Sequence, residues 1–501
     1  MTDQDMERVD LLIVGGGING AGIARDAAGR GLSVLLVEQD DLASHTSSAS
    51  TKLIHGGLRY LEYGEFRLVR EALIERERLL NMAPHIIWPL SFVLPQTQSP
   101  RPAWMVRLGL FLYDHLGGRE KLPGTRTVAL ERSPLGDGLS PRKGKAFVYS
   151  DCWVEDSRLV ALNALDASER GARIETRTRL VDARREGQGW TATVEAAGQS
   201  RTVHARALVN AAGPWVADVI GRTHGTRHDR GVRLVKGSHI VVPKLYEGDH
   251  AFMLQNDDRR IVFAIPYEGK FTLVGTTDES WTGAPAKASI SAAETRYLLD
   301  TVNRYFAHKV GEVDIVWSYA GIRPLYDDHS ANASAVTRDY VLDLDTGPEG
   351  AAEAPVLNIF GGKITTYRKL AEHAMRELAR FFPQAGGAWT AGAALPGGDM
   401  SDADFERFLH SLTGRYADVP PALLRRLARA YGTRVSELLE AGGLGPDLGG
   451  GLHTAEVDYL VKAEWARTAE DILFRRSKLG LHVPPGTPER LAAYLAEQGV
   501  A

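Results

Sequence analysis

The sequence predicts an α/β protein with a parallel sheet near its amino terminus, and three observations lead to this fold class. An apolar strand runs into a glycine-rich turn, a helix and a second strand within residues 9–38. Strands rich in β-branched residues follow at about 149–271, and helical spacing of apolar residues dominates after residue 395. Because 501 residues exceed what one hydrophobic core usually organises, we expect two or three domains.

The first strand, residues 9–14, is apolar in the manner of a strand buried in a parallel sheet. It leads into a turn that matches GxGxxG at Gly15, Gly17 and Gly20, and residues 21–29 continue as a helix. In this arrangement the first glycine makes a tight turn, the second lets the backbone approach a pyrophosphate, and the third lets helix pack on strand. The amino terminus of the helix then holds the anion, so the pattern predicts a dinucleotide site.

The second strand, residues 32–37, ends at Glu38, which lies 21 residues after Gly17. A carboxylate at this place accepts hydrogen bonds from ribose hydroxyls, which disfavours NADP and leaves NAD and FAD open. Residues 44–51, which we call the hydroxyl loop, are rich in Ser and Thr and precede a glycine pair and two cations. Such a loop suits an extended pyrophosphate and a flavin ring, although composition alone is equally typical of a surface loop.

Composition excludes several classes of protein. The chain has one cysteine, Cys152, so it has no intrachain disulfide, CxxC redox pair, cysteine zinc site or self-contained iron–sulfur cluster, and we predict no metal site. If it moves electrons, an organic cofactor must carry them. The 59 Lys and Arg against 63 Asp and Glu give a net charge of −4, which argues against a nucleic-acid partner bound by bulk charge.

No segment has the pattern of a membrane span or a signal peptide. Residues 1–10 are acidic and insufficiently apolar for a signal peptide. The longest stretch without charge, residues 79–100, contains four prolines, so we expect no spanning helix.

Ordered strings along residues 10–375 resemble the FAD-dependent glycerol-3-phosphate dehydrogenases of the bacterial aerobic, respiratory type. The strings stand at 14–23, 46–50, 52–62, 101–105, 149–154, 210–216, 236–243, 274–278, 321–325 and 360–372. This resemblance implies a Rossmann-like FAD-binding domain of the glutathione-reductase/D-amino-acid-oxidase type, a mixed β-sheet substrate cap and a helical C-terminal domain. The expected FAD-binding domain is discontinuous and comprises residues 1–80, 150–225 and 310–385. The expected cap, which includes the membrane-facing segment, comprises 81–149 and 226–309. The expected helical C-terminal domain is 395–501.

The resemblance also implies which residues bind FAD. Residues 207–213 read as a strand entering a glycine turn, and 356–363 as a last strand, whose glycines let the backbone approach the flavin. A helix at 365–380 would direct its amino terminus at the ring. The cofactor-binding candidates are Gly15, Gly16, Gly17, Asn19, Gly20, Glu38, Thr46, Ser47, Ser48, Lys52, Leu53, His55, Gly213, Gly361, Gly362 and Lys363.

The implied reaction oxidises the C2 hydroxyl of sn-glycerol 3-phosphate to the ketone of dihydroxyacetone phosphate, with a hydride passing to flavin N5. A phosphomonoester needs convergent cations and donors, and the substrate-binding candidates are Arg59, Tyr60, Thr276, Arg323 and Lys363. A general base should lie near the hydroxyl. We predict His239 as this base, with His55 in reserve, and Arg323 as a second catalytic candidate that could polarise the hydroxyl.

Electrons must then leave the flavin for an acceptor, and residues 101–145 indicate whether that acceptor lies in a membrane. This segment holds nine basic and four acidic residues, a net charge of +5, and residues 103–116 form a predominantly apolar helical stretch. Such a helix is either buried in the core or lies in a bilayer interface, and the flanking cations and Trp104 favour anionic lipid. The resemblance implies a peripheral enzyme on the cytoplasmic face of the inner (plasma) membrane, a ubiquinone acceptor and a homodimer.

The C-terminal region reads as helices at 402–412, 420–431, 434–441 and 454–480. The basic run 475–478 could be a partner or nucleic-acid site, but a solvated helix end is the commoner outcome. Two other functions stay open: a glycerol-3-phosphate oxidase that uses oxygen, and a flavin-binding or sensor protein without turnover.

Overall fold

The computed structural model describes residues 7–226, 231–327, 339–348, 353–440 and 442–500. Within them the strands are β1 Glu7–Val14, β2 Val34–Val37, β3 Leu53–Ile54, β4 Ile87–Pro95, β5 Arg126–Ala129, β6 Lys145–Val154, β7 Arg173–Glu175, β8 Thr178–Glu186, β9 Gly189–Ala196, β10 Gln199–Asn210, β11 Thr223–His224, β12 Gly231–Pro243, β13 Ala251–Gln255, β14 Ile261–Tyr267, β15 Phe271–Gly275, β16 Glu279–Trp281, β17 Trp317–Asp327, β18 Val341–Asp345, β19 Val356–Phe360, β20 Asp447–Gly449 and β21 Leu452–His453.

The α-helices of the same described residues alternate with these strands. They are α1 Ile18–Gly29, α2 Phe66–Met82, α3 Ala103–Leu116, α4 Asp156–Glu169, α5 Val216–Gly221, α6 Ala292–Tyr305, α7 Tyr367–Leu378, α8 Phe405–Arg415, α9 Pro421–Tyr431, α10 Val435–Glu440, α11 Thr454–Glu464 and α12 Thr487–Glu497.

The first sheet is parallel at its centre, in the order β7-β2-β1-β10-β19, and β18 adds an antiparallel edge. A meander of β8 and β9 pairs with the first half of β10. The carboxyl ends of parallel strands meet at one edge. That edge therefore gathers Gly15 after β1, Glu38 after β2, Gly213 after β10 and Gly361 after β19, as the sequence predicted for a Rossmann-like fold.

The second sheet is mixed and contains the strands of the predicted cap, but it also takes in β3, the end of β6 and β17, which the expected bounds assigned to the FAD-binding domain. Its order is β16-β12-β15-β14-β13-β4-β6-β3, with β17 along the free side of β12 and β5 on β6. Its two faces are both covered, since side chains of α6 pack on one face and those of α2 and α3 on the other. The register sets His239 opposite Tyr319 on β17 and Gly275 on β15. The mixed cap sheet of the resemblance is thus present.

The C-terminal helices surround a core of their own, which includes Leu427, Leu460 and Leu491. One predicted helix is wrong in extent: α11 ends at Glu464 because Trp465 takes a left-handed conformation with φ of 58°. A separate π-helical turn, Asp471–Arg476, follows. Nothing in the sequence indicated this helix end, because the residue that ends a helix in the left-handed conformation is usually glycine and not tryptophan.

Candidate active site

The glycine-rich turn has the geometry that its motif requires. Gly15 has a φ of +113°, and a Cβ added to it would lie 2.5 Å from the carbonyl oxygen of Ala211. A Cβ on Gly20 would lie 1.9 Å from the carbonyl oxygen of Gly15. Backbone atoms cannot yield to such contacts, so α1 packs tightly under β1 only because both positions are glycine.

Glu38 holds this turn from the end of β2. Its carboxylate accepts the backbone N–H of Gly16 at 2.6 Å and that of Asp40 at 2.8 Å. Burial raises the pKa of Glu38, and the hydrogen bonds from the two amides act in the opposite direction. A carboxylate fixed beside the turn is the group that the sequence predicted as the acceptor for ribose hydroxyls.

The hydroxyl loop connects the turn to the cap. Ser47 Oγ accepts the N–H of Ile18, in the first turn of α1, at 3.0 Å. Thr46 Oγ1 donates to the carbonyl oxygen of Ile322 on β17 at 2.6 Å, and Ser48 Oγ donates to the carbonyl oxygen of His45 at 3.2 Å. The loop therefore lies between the dinucleotide turn and the strand that carries Arg323.

Lys52 supports this loop from within the protein. Its side chain is fully buried, and Nζ donates to both carboxylate oxygens of Asp156, at 2.8 and 2.9 Å, and to the carbonyl oxygen of Ser48 at 3.0 Å. Desolvating the ammonium is offset only by such a complete set of partners. Lys52 thus has its three donors engaged by the protein, and the next residue, Leu53, is buried in β3.

The far end of the groove is built from backbone. Gly361 and Gly362 follow β19 with φ of +73° and +103°, and Gly213 follows β10 with φ of +56°. Asn19 Nδ2 donates to the carbonyl oxygen of Gly361 at 3.0 Å, while its Oδ1 is buried without a hydrogen-bond partner among the described residues. An acceptor left open beside a glycine cradle indicates that a ligand completes the hydrogen bonding here.

These parts line one continuous groove. It runs from Leu180 and Glu38 past Gly15 and Ser47 to Gly213 and Gly362. The glycine cradles, the Glu38 carboxylate and the unpaired Asn19 Oδ1 all fit FAD. The groove also includes residues with no recognisable local motif, such as Thr178, Asp218 and Arg222, which only the topology brings there.

Two of the substrate-binding candidates converge on the second sheet. A Cβ added to Gly237 would lie 2.8 Å from Arg323 Nη2 and 2.8 Å from Thr276 Oγ1. Arg323 Nη2 donates to the carbonyl oxygen of Thr277 at 3.0 Å and lies 3.5 Å from a carboxylate oxygen of Asp278. The guanidinium is 44% exposed, so it has N–H groups to offer a bound anion.

The other candidates gather around Lys363. Its Nζ lies 3.7 Å from the ring centroid of Tyr60, a cation–π contact. Arg59 Nε is buried without a hydrogen-bond partner among the described residues. The backbone N–H of His55 donates to Thr365 Oγ1 at 3.2 Å and so ties the loop that carries Arg59 to the segment just before α7. Arg59, Tyr60 and Lys363 thus form a group of their own beside the segment that precedes α7.

His239 lies on β12 with one ring nitrogen engaged. Nε2 is 3.0 Å from Thr51 Oγ1, the ring stacks on Tyr319 at a centroid distance of 4.8 Å, and Nδ1 is buried without a partner among the described residues. Burial, together with the charges of Lys52 and Arg323, lowers the pKa of His239 to about 3. The ring is therefore neutral at pH 7 and can accept a proton.

His55, the reserve base, is also neutral by its surroundings. Burial lowers its pKa, the charge of Lys363 adds to this effect, and Asp151 opposes it. Sequence reasoning passed over three supporting residues, Thr51, Asp156 and Tyr319. All three stood in or beside quoted strings, but only the pairing of β12 with β17 shows that Tyr319 stacks on a histidine.

Comparisons with known proteins agree with this geometry. Residues 10–367 match the family model described as FAD dependent oxidoreductase. The chain belongs to the FAD-dependent oxidoreductase family. In this family member, residues 388–493 also match the model described as the C-terminal domain of alpha-glycerophosphate oxidase.

Two relatives and one solved structure are similar to this chain over nearly its whole length. The chain is 56% identical over 483 residues to D-erythritol 1-phosphate dehydrogenase of Brucella abortus, covering 95% of each chain. It is 56% identical over 500 residues to glycerol-3-phosphate dehydrogenase of Pseudomonas aeruginosa, covering 98% of this chain and 96% of the relative. A structure of glycerol-3-phosphate dehydrogenase from Bacillus halodurans complexed with FAD superposes with a TM-score of 0.76 at 26% identity, covering 98% of this chain and 90% of that one.

These findings confirm the predicted family, fold class, FAD cofactor and oxidoreductase class. Glycines 15–17 and 20, Glu38, the hydroxyl loop and Gly213, Gly361 and Gly362 are the residues that would hold FAD.

Proposed function

We propose that this flavoprotein oxidises the C2 hydroxyl of sn-glycerol 3-phosphate to dihydroxyacetone phosphate and passes the electrons to membrane ubiquinone. The observation that carries the proposal is the placement of His239 on β12, Arg323 on the adjoining β17 and Thr276 directly after β15, next to the hydroxyl loop. A neutral imidazole with a free nitrogen and a guanidinium with free N–H groups are what an alcohol bearing a phosphate requires.

The residues of this chain divide the chemistry between them. FAD, when bound, supplies the hydride acceptor. His239 takes the hydroxyl proton on its free Nδ1, while Thr51 fixes the ring through Nε2. Arg323 and Thr276 donate to the substrate from one side, and Arg59 and Lys363 supply further positive charge for the phosphate dianion.

A second substrate has a specific observation in its favour. The Brucella abortus relative, at 56% identity, is named for D-erythritol 1-phosphate. That polyol phosphate also has a secondary hydroxyl next to the phosphorylated carbon, so the same base and cations would serve, and it is one carbon longer. Identity alone does not separate the two, because the glycerol-3-phosphate relative is also 56% identical.

The function is tested by mixing the holoprotein anaerobically with each phosphate ester and following the flavin absorbance. We expect sn-glycerol 3-phosphate to bleach the flavin, and a ubiquinone analogue to restore its absorbance much faster than oxygen does. Unphosphorylated glycerol is the control and should leave the flavin oxidised, because it lacks the group that the cations bind.

Each other outcome identifies an alternative. Faster bleaching by D-erythritol 1-phosphate would assign the protein to that substrate. Hydrogen peroxide formed in step with turnover would make it an oxidase. Flavin that stays yellow with both esters would contradict a dehydrogenase and favour a binding protein.

The face of α3 supports the proposed attachment to a membrane. The sequence left open whether this helix is buried in the core or lies in a bilayer interface. In the structure one face is buried, through Val106, Leu110 and Tyr113. The opposite face is exposed, and the large apolar residues exposed in the described chain are Tyr63, Phe66, Trp104, Met105, Leu108, Phe111, Val313 and Val316. Six of these eight lie between residues 63 and 111, in and next to the segment whose net charge is +5. No helix among the described residues has the length and apolar character of a membrane span.

We propose that this face docks on anionic lipid at the cytoplasmic surface of the inner membrane, where ubiquinone is available. The protein should co-sediment with vesicles containing phosphatidylglycerol and be released by high salt or detergent. Replacing Leu108 and Phe111 with glutamate should abolish co-sedimentation. The matched control is Val313→Glu, which changes a residue that is 96% exposed outside this face. Full recovery of the unmodified protein in the supernatant at low salt would refute docking.

That the protein forms a homodimer stays a prediction.

A further inference from the structure

The basic run of the C-terminal domain is buried against the FAD-binding domain, so the expected solvated helix end is wrong. The side chain of Arg476 is 1% exposed and that of Arg475 is 13% exposed. Lys478 is buried as well. The run lies at the end of the π-helical turn that the sequence did not predict.

Arg476 joins the two domains by a two-pronged ion pair. Its Nη1 and Nη2 donate to the carboxylate oxygens of Asp41 at 2.8 and 2.7 Å, and Nε donates to the carbonyl oxygen of Glu464 at 3.0 Å. Arg475 Nε donates to the same Asp41 at 2.8 Å. Asp41 belongs to the FAD-binding domain, and its side chain is 1% exposed.

Asp41 in turn fixes the backbone that borders the cofactor groove. Its N–H donates to Ser44 Oγ at 2.9 Å, and Ser44 Oγ donates to the carbonyl oxygen of Asp41 at 2.7 Å. Inside this turn, the N–H of Ala43 donates to the carbonyl oxygen of Gly16 at 3.2 Å. Ala43 and Ser44 both line the groove. The turn thus connects the C-terminal domain to the glycine motif within a few bonds.

Lys478 makes a parallel connection to the hydroxyl loop. Its Nζ is 3.3 Å from Ser157 Oγ, and the N–H of Ser157 donates to Asp156 Oδ1 at 2.8 Å. Asp156 is the partner of Lys52. A pocket beside the loop is lined by Thr46 and by Arg475. The C-terminal domain is therefore joined directly to the turn that carries Asp41, and to the hydroxyl loop through Ser157 and Asp156.

The ion pair between Arg476 and Asp41 is better suited to fixing geometry than to stabilising the fold. Taking a guanidinium and a carboxylate out of water costs about as much as their attraction returns, so a buried pair of this kind adds little net stability. What it does supply is a fixed geometry, since the fork of arginine accepts a carboxylate in one orientation.

We propose that Arg476 is a positioning residue for FAD. It holds the turn 41–44 against the glycine motif through Asp41, so that the C-terminal domain forms part of the cofactor site. Loosening this turn should weaken FAD binding without any change in the residues that touch FAD.

The test measures the rate at which FAD leaves the holoprotein, followed by the rise of flavin fluorescence after dilution, together with the unfolding temperature. In the double variant Asp41→Asn with Arg476→Met, both charges are removed, so no buried charge is left unpaired. We expect FAD release to be about tenfold faster or more, the size usual for residues that orient direct ligands. Arg476→Lys keeps the charge but loses the fork, and should release FAD at an intermediate rate.

The control is Arg429→Met. Arg429 donates from α9 to the carbonyl oxygen of Pro84 at 3.1 Å, an interdomain contact with no bond to the turn 41–44. This variant should lower the unfolding temperature and keep the wild-type rate of FAD release. Release within twofold of wild type in the double variant, or equal acceleration in Arg429→Met, would overturn the proposal. Because FAD release needs no substrate, the result is independent of the proposed reaction.

Discussion

Replacing His239 with alanine is expected to lower kcat by about 10²- to 10⁴-fold, the range that a positioned general base contributes, with FAD content unchanged. The ring has one free nitrogen, and it stacks on Tyr319 without lining the FAD groove, so the variant removes the proton acceptor and leaves the cofactor site intact. The measurement is the rate of anaerobic flavin bleaching by sn-glycerol 3-phosphate, compared with the absorbance of bound FAD.

The control is His250→Ala, which removes a second buried histidine of the cap. Burial lowers the pKa of His250 to about 4, and its ring contacts Tyr246 and Phe252. This variant can lose stability, but it should keep the wild-type rate of bleaching. Wild-type turnover in His239→Ala would contradict the assignment of His239 as the general base. His55 would then be the candidate base, and its alanine variant is measured in parallel.

The low pKa of His239 has two consequences for pH. A base with a pKa of about 3 is weak, and we expect the negative charge of a bound phosphate to raise the pKa of His239. For stability, the unfolded chain binds a proton near the ordinary pKa of 6.5, whereas the folded chain does not until about pH 3. The neutral ring therefore costs nothing above pH 6.5, and stability falls as pH drops from 6.5 towards 3. His239→Ala should remove this part of the acid sensitivity.

The dinucleotide half of the fold was predictable because its information is local. Strand, glycines, helix and acid stand within residues 9–38, and each has a steric or hydrogen-bonding reason that holds in any chain. The bounds of α3 likewise follow from one amphipathic stretch. For the cap, runs of β-branched residues predicted strands, but only the fold shows that Val235 lies opposite Arg323, and His239 opposite Tyr319.

What could not be predicted depends on contacts between distant segments. Nothing local distinguishes Thr178 or Arg222 as groove residues, and nothing in the run 475–478 shows that Arg476 pairs with Asp41, 435 residues away. Lys52 is instructive in the same way. A lysine after a hydroxyl-rich loop suggests a phosphate ligand, whereas the fold gives its three donors to Asp156 and Ser48.

Replacing Arg323 with alanine is expected to raise the KM for sn-glycerol 3-phosphate by on the order of 10²-fold, because a charge-assisted pair with a phosphate is lost. The guanidinium is held by the carbonyl oxygen of Thr277 and lies beside Thr276 Oγ1, with N–H groups left for the anion. Arg323→Lys should recover only part of the loss, since an ammonium lacks the planar fork. Steady-state kinetics with a ubiquinone analogue give both constants, and Arg184→Ala, an arginine 65% exposed on β8, should leave them unchanged.

The two parameters also decide between the roles that Arg323 could have. If it binds only the phosphate, KM rises and kcat stays close to wild type, because substrate and transition state lose the same contact. If it polarises the C2 hydroxyl, kcat falls together with kcat/KM, because the lost interaction is strongest as charge develops on oxygen. A KM and kcat both within twofold of wild type would remove Arg323 from the pocket. The cations around Lys363 and Arg59 would then carry the phosphate alone, and His239 would have to act with no positive partner except the buried Lys52.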